Sequence, residues 1–357
     1  MTGLTPQLTT SDSDGYFLLK DIRNKGKSAF ISVRNGDYFE VFRRYSVLPG
    51  RYNYTEIKMA ERSIIGYIVS NVGGTLKHSE GGQISLPANG IVTSNGTNYQ
   101  GSVDVAMNWI KPSSETLSSE MVGDLSGIDE DGAIRSLKTY GMLQVELIGS
   151  NGQLLNLRED QEAQLTFPVP PELQANATPS IPLRSYNEIS GTWIQEGMAI
   201  KEGNAYVGTV SHFSSWNVDH MTDPIEIKGT VKFEISEEIY GAGYLQVKVC
   251  SDNIGTKGGW LCEDGSFRFY NFPKDEIFKI KVYDHCGTKL YQETYGPYNS
   301  DIEIDPIAVE NNSQLVHVFG NAITCDGDPV VNAKLSIRLD NRYLDFPVID
   351  NKSLSVR

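Results

Sequence analysis

Apolar and polar residues alternate with a period of two through most of this chain of 357 residues. Four stretches show the pattern most plainly: 102–109, 143–147, 245–249 and 334–339. Successive side chains of a β-strand point to opposite faces, so this period is typical of strands with one buried face. Since helical spacing is nearly absent, the pattern predicts an all-β fold.

Glycine follows aspartate or asparagine between many of these runs, as at 131–132, 151–152, 264–265 and 326–327. Such pairs suit turns that need a positive φ, and they close adjacent strands into hairpins. Short strands closed by tight turns favour tandem β-sandwiches of the immunoglobulin-like or transthyretin-like kind.

The composition excludes several classes of partner. The formal net charge is −14 and the sequence pI is about 4.9, and no cluster of Lys and Arg offers a surface for phosphates. We therefore expect no nucleic acid partner. No apolar run reaches the length of a membrane span, and Met1 to Thr10 lacks the features of an export signal.

Two segments, Gly320 to Leu335 and Ser11 to Phe17, carry a recognisable pattern. The first has a strand, a turn with Gly and Pro, and a second strand, and the second has the sequence Ser-Asp-Ser-Asp-Gly-Tyr-Phe. They resemble the opening and the T/S-D-x-x-G-x-F turn of the carboxypeptidase regulatory-like domain. A related turn recurs at Glu263 to Phe267. The resemblance implies small transthyretin-type sandwiches.

The middle of the chain contains a Gly-Gly strand at Gly81–Gly90, a strand at Gly101–Val105 and a proline-flanked strand at Leu165–Pro170. In these motifs it resembles a ZU5-like module. With Trp193–Gly197 and the ending Ser211–Asn217, the whole is similar to exported multi-domain proteins of Bacteroidetes-type bacteria.

These resemblances imply four regions. Residues 1–62 are expected to be the C-terminal part of a regulatory-like sandwich, and 63–219 a ZU5-like sandwich. Residues 224–308 are expected to be a complete regulatory-like sandwich, and 313–357 the N-terminal part of another. We therefore expect a piece of a longer exported protein, located outside the cell or at its surface.

The tripeptide His212-Phe213-Ser214 has two interpretations. Some ZU5-containing proteins cut themselves at His-Phe-Ser, with serine attacking the preceding carbonyl and histidine taking its proton. Alternatively, Val210, His212, Ser214 and Trp216 share one face of an extended strand before a domain boundary. A relaxed strand keeps His212 and Ser214 too far apart for a hydrogen bond, so the chemical interpretation requires a kink.

The four cysteines lie in the last third of the chain and are disulfide candidates: Cys250, Cys262, Cys286 and Cys325. Three pairings are open, and pairing suits an oxidising compartment. The alternative is four free thiols. No C-x-x-C pair indicates a metal site.

One acidic loop offers oxygen ligands for calcium, from Asp124, Asp129 and Asp131. The residues lack the spacing of an EF-hand, and a solvated acidic turn is the alternative. No other cofactor is predicted, because the five histidines show neither HxxE nor HExxH spacing and no G-x-S-x-G occurs.

The sequence therefore predicts a non-catalytic structural or adhesive module, whose partners are other domains of the same protein or surface and matrix components. The first alternative is a self-processing domain that cleaves its own Phe213–Ser214 bond. The second is a glycan-binding module, in which Trp109, Trp193, Trp216 and Trp260 stack on sugar rings.

Overall fold

The computed structural model describes residues 7–13, 15, 17–19, 22, 28–46, 57–114, 117–233, 245–251, 255–262, 264–284, 287–309, 318–320, 323–328, 330, 333–339, 342–348 and 354–356. It forms two compact units. The first consists of Met1–Lys232 with Tyr240–Ile307, and the second of Phe233–Ile239 with Ala308–Arg357. In the residues that it describes, the structure is 55% strand and 3% helix, which confirms the all-β prediction.

The first unit begins with a hairpin and a large sheet. Their strands are β1 Ser28–Val33, β2 Val41–Ser46, β3 Ile64–Val69, β4 Gly74–Lys77, β5 Gln83–Leu86, β6 Ile91–Thr93, β7 Ser102–Ile110, β8 Ser126–Ile128, β9 Ile134–Gly149, β10 Leu154–Leu157, β11 Ala163–Pro168, β12 Ser180–Asn187, β13 Thr192–Glu202, β14 Ala205–Val210 and β15 Ser215–Thr222. A short helix, α1, spans Leu117–Glu120, and a 3-10 helix spans Pro171–Asn176.

The large sheet orders its main strands β3-β7-β9-β15-β12-β13-β14-β11-β5-β4, with β6, β8 and β10 beside this path. Strands β3 and β4 follow each other in sequence and approach closely, since a Cβ on Gly66 would lie 2.8 Å from the Leu76 side chain. The sheet therefore curls around one core. That core holds the predicted inward faces of β7 and β9, such as Val105 and Val145.

A second core covers the other face of β9, β12 and β13. It contains Leu137 and Met142 from β9, together with Tyr186 and Trp193. Phe42 of the β1–β2 hairpin packs in the same cluster, as do residues of the segment around α1. The middle strands are therefore buried on both faces, and the hairpin shares its apolar contacts with the large sheet.

Burial on both faces forces the polar side chains of these strands to pair with one another. Arg184 of β12 and Asp219 of β15 form an ion pair, with side chains 2% and 0% exposed. Asn217 Nδ2 donates to the other Asp219 oxygen at 2.8 Å, and Thr139 Oγ1 donates to Asn217 Oδ1 at 2.6 Å. Arg184 also donates to Gln195 Oε1 at 3.2 Å. This network connects four neighbouring strands.

Gly141 shows how closely the first core is packed. Its φ is +138°, and a Cβ at this position would lie 1.9 Å from the Trp109 ring. Position 141 is therefore restricted to glycine by both the backbone and the indole.

A β-sandwich follows, and all of its strands lie in the first unit except for the last residue of β16 and the last two residues of β23. Its strands are β16 Pro224–Phe233, β17 Gln246–Ser251, β18 Gly255–Trp260, β19 Ser266–Pro273, β20 Phe278–Tyr283, β21 Lys289–Tyr295, β22 Ile302–Glu303 and β23 Ile307–Val309. They form two four-stranded sheets, β19-β16-β22 with β23 beside β16, and β18-β17-β20-β21. Phe272 and Phe278 meet edge-to-face in its core, with ring centroids 4.9 Å apart.

The second unit contains two antiparallel pairs among its described residues. Strand β24 Val318–Gly320 pairs with β27 Leu354–Val356, and β25 Ala333–Leu339 pairs with β26 Arg342–Val348. The predicted Asp326–Gly327 turn has φ +86° at its glycine.

We predict that Asp219→Ala lowers the free energy of unfolding by about 3–5 kcal/mol, because it leaves the Arg184 guanidinium buried without its counter-charge. Urea unfolding followed by tryptophan fluorescence measures the loss. Asp160→Ala, which breaks an exposed ion pair with Arg158, is the control and should change the midpoint little. Equal effects of the two substitutions would contradict this account of the network.

Candidate functional site

The candidate site is the bend at residues 211–214, which connects β14 to β15. Strand β14 pairs with β11 and β13, whereas β15 pairs with β9 and β12. Because the two strands share no partner, the chain must leave one part of the sheet and enter another between them. The interpretation of 210–216 as one extended strand is therefore wrong, and the chain bends at the His-Phe-Ser tripeptide.

Hydrogen bonds from two neighbouring side chains hold the backbone of this bend. Asn156 Oδ1 accepts the Phe213 backbone N–H at 3.1 Å, and the Trp216 indole Nε1 donates to the His212 carbonyl oxygen at 3.2 Å. The Phe213 side chain packs against the first core. Trp216 is itself only 1% exposed, so its indole is a rigid support.

Glu196 of β13 contacts the His212 ring. Nε2 of His212 lies 3.1 Å from Glu196 Oε2, and both side chains are about one-third exposed, at 36% and 35%. The ring centroid is 5.0 Å from that of Trp216, at an interplanar angle of 38°. Ser185 Oγ donates to the other Glu196 oxygen. Glu196 was not among the predicted site residues, because strand pairing and not sequence proximity brings it to His212.

Ser214 lies in the bend with His212, but no hydrogen bond joins the two in this described part of the chain. The Ser214 hydroxyl donates to the Ser215 carbonyl oxygen at 3.3 Å. The chain is therefore bent where the chemical interpretation requires a kink, but this bend does not bring Ser214 into a hydrogen bond with His212. The hydroxyl has to leave Ser215 before it can give its proton to His212.

The acidic loop is organised around an arginine. Asp129 accepts from Arg135 Nε at 2.7 Å and from the backbone amides of Asp131 and Ala133, and the Arg135 hydrogen bond is the main cause that lowers the pKa of Asp129. Among the described residues, no group of three or more His, Cys, Asp or Glu is arranged to hold a metal ion. The structure thus does not gather Asp124, Asp129 and Asp131 around a calcium site.

Three cysteines carry free thiols in the structure, Cys250, Cys262 and Cys325. Cys286 lies outside the described residues, so the disulfide hypothesis stays a prediction.

Most of the tryptophans proposed to stack on sugars lie in the cores. Trp109 is 6% exposed, Trp193 0% and Trp216 1%. The side chain of Trp260 lies outside the described set. Buried indoles offer no face to a glycan, so those three positions do not support the glycan-binding hypothesis.

A second polar feature connects the large sheet to the sandwich that follows it. We call it the joint, and it consists of Leu125, Ser126, Arg135, Ser136, Lys138, Asp223, Asn271, Lys274 and Glu276. Only Asp223 separates β15 from β16. Its carboxylate accepts from Arg135 of β9 at 2.6 Å and from Lys274 of the sandwich, and the Lys274 hydrogen bond is the main cause that lowers the pKa of Asp223.

The joint also contains contacts that are shielded from solvent. Lys138 Nζ lies 2.6 Å from Glu276 Oε1, with side chains 20% and 12% exposed. Asn271 Nδ2 donates to the Leu125 carbonyl oxygen at 2.9 Å, and Ser136 Oγ donates to the Asn271 carbonyl oxygen at 2.8 Å. An open cleft of about 450 Å³ lies beside these contacts, lined by Asp129, Arg135, Met221, Thr222, Asp223 and Lys274.

No family model matches the chain. Among curated proteins, human cartilage intermediate layer protein 2 is 28% identical over 127 residues, which are 35% of this chain and 11% of that protein. The chain therefore spans about a tenth of the length of this relative. The regulatory-like and ZU5-like assignments, and the division at 62, 219, 224, 308 and 313, stay predictions.

Solved structures with some likeness come from two Bacillus species. The major pilin subunit BcpA of Bacillus cereus is 12% identical, with 66% of this chain and 85% of that chain covered and a TM-score of 0.18. The Bacillus anthracis TIE protein is 11% identical, with 94% and 56% covered and a TM-score of 0.20. At these scores the likeness carries no argument about fold or function. No helix among the described residues is long and apolar enough to cross a membrane.

His220 lies on β15 close to the joint. Its register partner on β9 is Lys138, and its ring meets Tyr140 edge-to-face at 5.6 Å. Thr178 Oγ1 donates to the Ser180 carbonyl oxygen at 2.6 Å, so it accepts from His220 Nε2 at 3.1 Å. Burial lowers the pKa of His220, and the charges of Lys138 and Arg184 lower it further.

We predict that His220 makes the protein less stable as the pH falls below about 6.5, the ordinary histidine pKa. The unfolded chain takes up the proton first, so stability is lost until the pH reaches the lower pKa of the folded state. Urea unfolding between pH 8 and pH 5 measures the free energy of unfolding of the wild type and of His220→Asn. Subtracting the two values removes the contribution of titrating groups that both proteins share. His78→Asn is the control. A difference that stays constant with pH would contradict the prediction.

Proposed function

We propose that the chain is a structural module of an extracellular or cell-surface protein, a rigid spacer that acts through its surfaces and not through catalysis on other molecules. The joint is the observation that carries this proposal. It ties the large sheet to the next sandwich by ion pairs, side chain to backbone hydrogen bonds and a one-residue connection. A flexible linker between the two would have none of these constraints.

The partially shielded contacts matter most for rigidity. Exposed ion pairs contribute little to rigidity. Asn271, in contrast, donates its amide to the carbonyl of Leu125, which directly precedes β8, and accepts from Ser136 of β9 at its backbone carbonyl. Asn271 also has φ +58°, a conformation that asparagine tolerates better than most residues. We therefore expect the joint to fix the orientation of the sandwich relative to the large sheet, in addition to holding the two in contact.

The location and the partners belong to the same proposal. The human relative is named for the cartilage intermediate layer, which agrees with a role outside the cell for the shared 127 residues. We propose other domains of the same protein and surface or matrix components as partners. Tandem sandwiches that are connected without a flexible linker would hold such partners at a fixed spacing.

We predict that the described residues of 64–222 and those of the sandwich within the first unit, 224–232, 245–251, 255–262, 264–284 and 287–307, tumble as one body. Amide residual dipolar couplings of the wild type should fit a single alignment tensor for both segments. The double substitution Asn271→Ala with Lys138→Gln should require two tensors, because it removes the side-chain amide contact of Asn271 and the Lys138–Glu276 ion pair. Arg158→Gln, outside the joint, is the control and should keep one tensor. Two tensors for the wild type would overturn the rigid-spacer proposal.

A second candidate function is self-processing at Phe213–Ser214, and the bend at 211–214 is the observation that favours it. The strand is interrupted at the tripeptide, and the His212 ring is held by Glu196 and Trp216. In this reaction Ser214 Oγ attacks the Phe213 carbonyl carbon, the peptide C–N bond breaks, and water hydrolyses the ester that results.

We predict that part of the folded wild-type protein separates under denaturing conditions into residues 1–213 and 214–357. Ser214→Ala should abolish the cut because it removes the nucleophile, and His212→Ala should slow it by about a hundredfold or more. Intact mass after long incubation with protease inhibitors measures the fractions. Ser211→Ala, in the same bend, is the control. A single full-length wild-type species would remove this second function and leave the spacer proposal unaffected.

A further inference from the structure

Glu196 lies where it can control which nitrogen of His212 is free. Its Oε1 accepts the Ser185 hydroxyl, and His212 Nε2 lies 3.3 Å from Oε1 and 3.1 Å from Oε2. Ser185 is 4% exposed, so its hydroxyl is a fixed donor. Ser185 lies on β12 and Glu196 on β13, and these two strands pair directly with each other. The Glu196 carboxylate is therefore held by Ser185 of the neighbouring strand and also contacts the His212 imidazole.

A carboxylate accepts hydrogen bonds and donates none, so the imidazole nitrogen beside it must carry the proton. The contact thus selects the neutral tautomer with hydrogen on Nε2. Nδ1 is then the nitrogen with the free lone pair, and it is the one that can receive a proton. The tilted contact with the Trp216 ring limits how the imidazole can turn, and the bond from Trp216 Nε1 to the His212 carbonyl oxygen fixes the backbone that carries it.

We propose that Glu196 is the positioning residue for the cut at Phe213–Ser214, holding His212 as the Nε2–H tautomer so that Nδ1 takes the proton from Ser214 Oγ. This inference rests on the second proposed function. Glu196 touches neither the nucleophile nor the scissile carbonyl and acts through His212 alone, as the third group does in nucleophile–base–orienter arrangements.

The reaction balances with water as its only co-reactant. The bond from Ser214 Oγ to the Phe213 carbonyl carbon forms, and the hydroxyl proton passes to His212 Nδ1. The C–N bond then breaks, and the proton goes to the departing Ser214 nitrogen, which becomes a free amine. Water cleaves the ester, which restores the Ser214 hydroxyl and gives Phe213 a carboxylate.

The test compares Glu196→Gln and Glu196→Asp with the wild type. The control is Glu202→Gln, an exposed position near the end of the same strand. The first readout is the cut fraction over time by intact mass. The second is the tautomer of His212, from its two imidazole ¹⁵N chemical shifts in the uncut Ser214→Ala background. Amide spectra establish that each variant is folded.

We expect Glu196→Gln to slow the cut by about tenfold or more. When His212 carries its hydrogen on Nδ1, that nitrogen has no free lone pair and cannot take the proton from Ser214 Oγ. It should also reduce the Nε2–H population, whereas Glu196→Asp should recover part of both and Glu202→Gln should match the wild type. A cut in Glu196→Gln at the wild-type rate, or His212 found as Nδ1–H in the presence of Glu196, would overturn the positioning role. A wild type that is never cut would instead overturn self-processing, and the role of Glu196 with it.

Discussion

The buried carboxylate of Asp219 is the constraint on which the arrangement of the large sheet depends. A charge without exposure to water needs a counter-charge and hydrogen bonds in the fold, and here Arg184 and Asn217 supply them. Those partners keep β12 and β15 side by side, and Thr139 adds β9 through Asn217. Any shift of β15 in register would separate these groups, so its position is determined by polar pairing as well as by apolar packing.

Both features with functional meaning lie at the ends of this one strand. The bend at 211–214 directly precedes β15, and Trp216 of β15 hydrogen-bonds to its backbone. Asp223, which belongs to the joint, directly follows β15. A cut at Phe213–Ser214 would leave 215–222 still paired with β9 on one side and β12 on the other. The two proposed functions are therefore compatible, since a spacer cut at this bend would keep its joint and its cores.

Burial of both sheet faces connects the β1–β2 hairpin to the large sheet. Phe42 of the β1–β2 hairpin packs with Tyr186 at a centroid distance of 5.7 Å, inside the core that also holds Trp193. The hairpin thus covers a face of the sheet that would otherwise be exposed to water. Apolar area removed from water in this way stabilises the hairpin and the sheet together.

The sequence by itself determined the β class, the inward faces of strands such as β7, and the turns at Gly132, Gly152 and Gly265, because period-two patterning and turn chemistry are local. It also singled out His212 and Ser214 as a base and a nucleophile. Only the tertiary structure decided that the strand breaks at Ser211, since β14 and β15 have different partners. It alone placed Glu196 beside His212 and Asn271 beside Leu125, because such contacts depend on strand order and register, which residues distant in sequence set jointly.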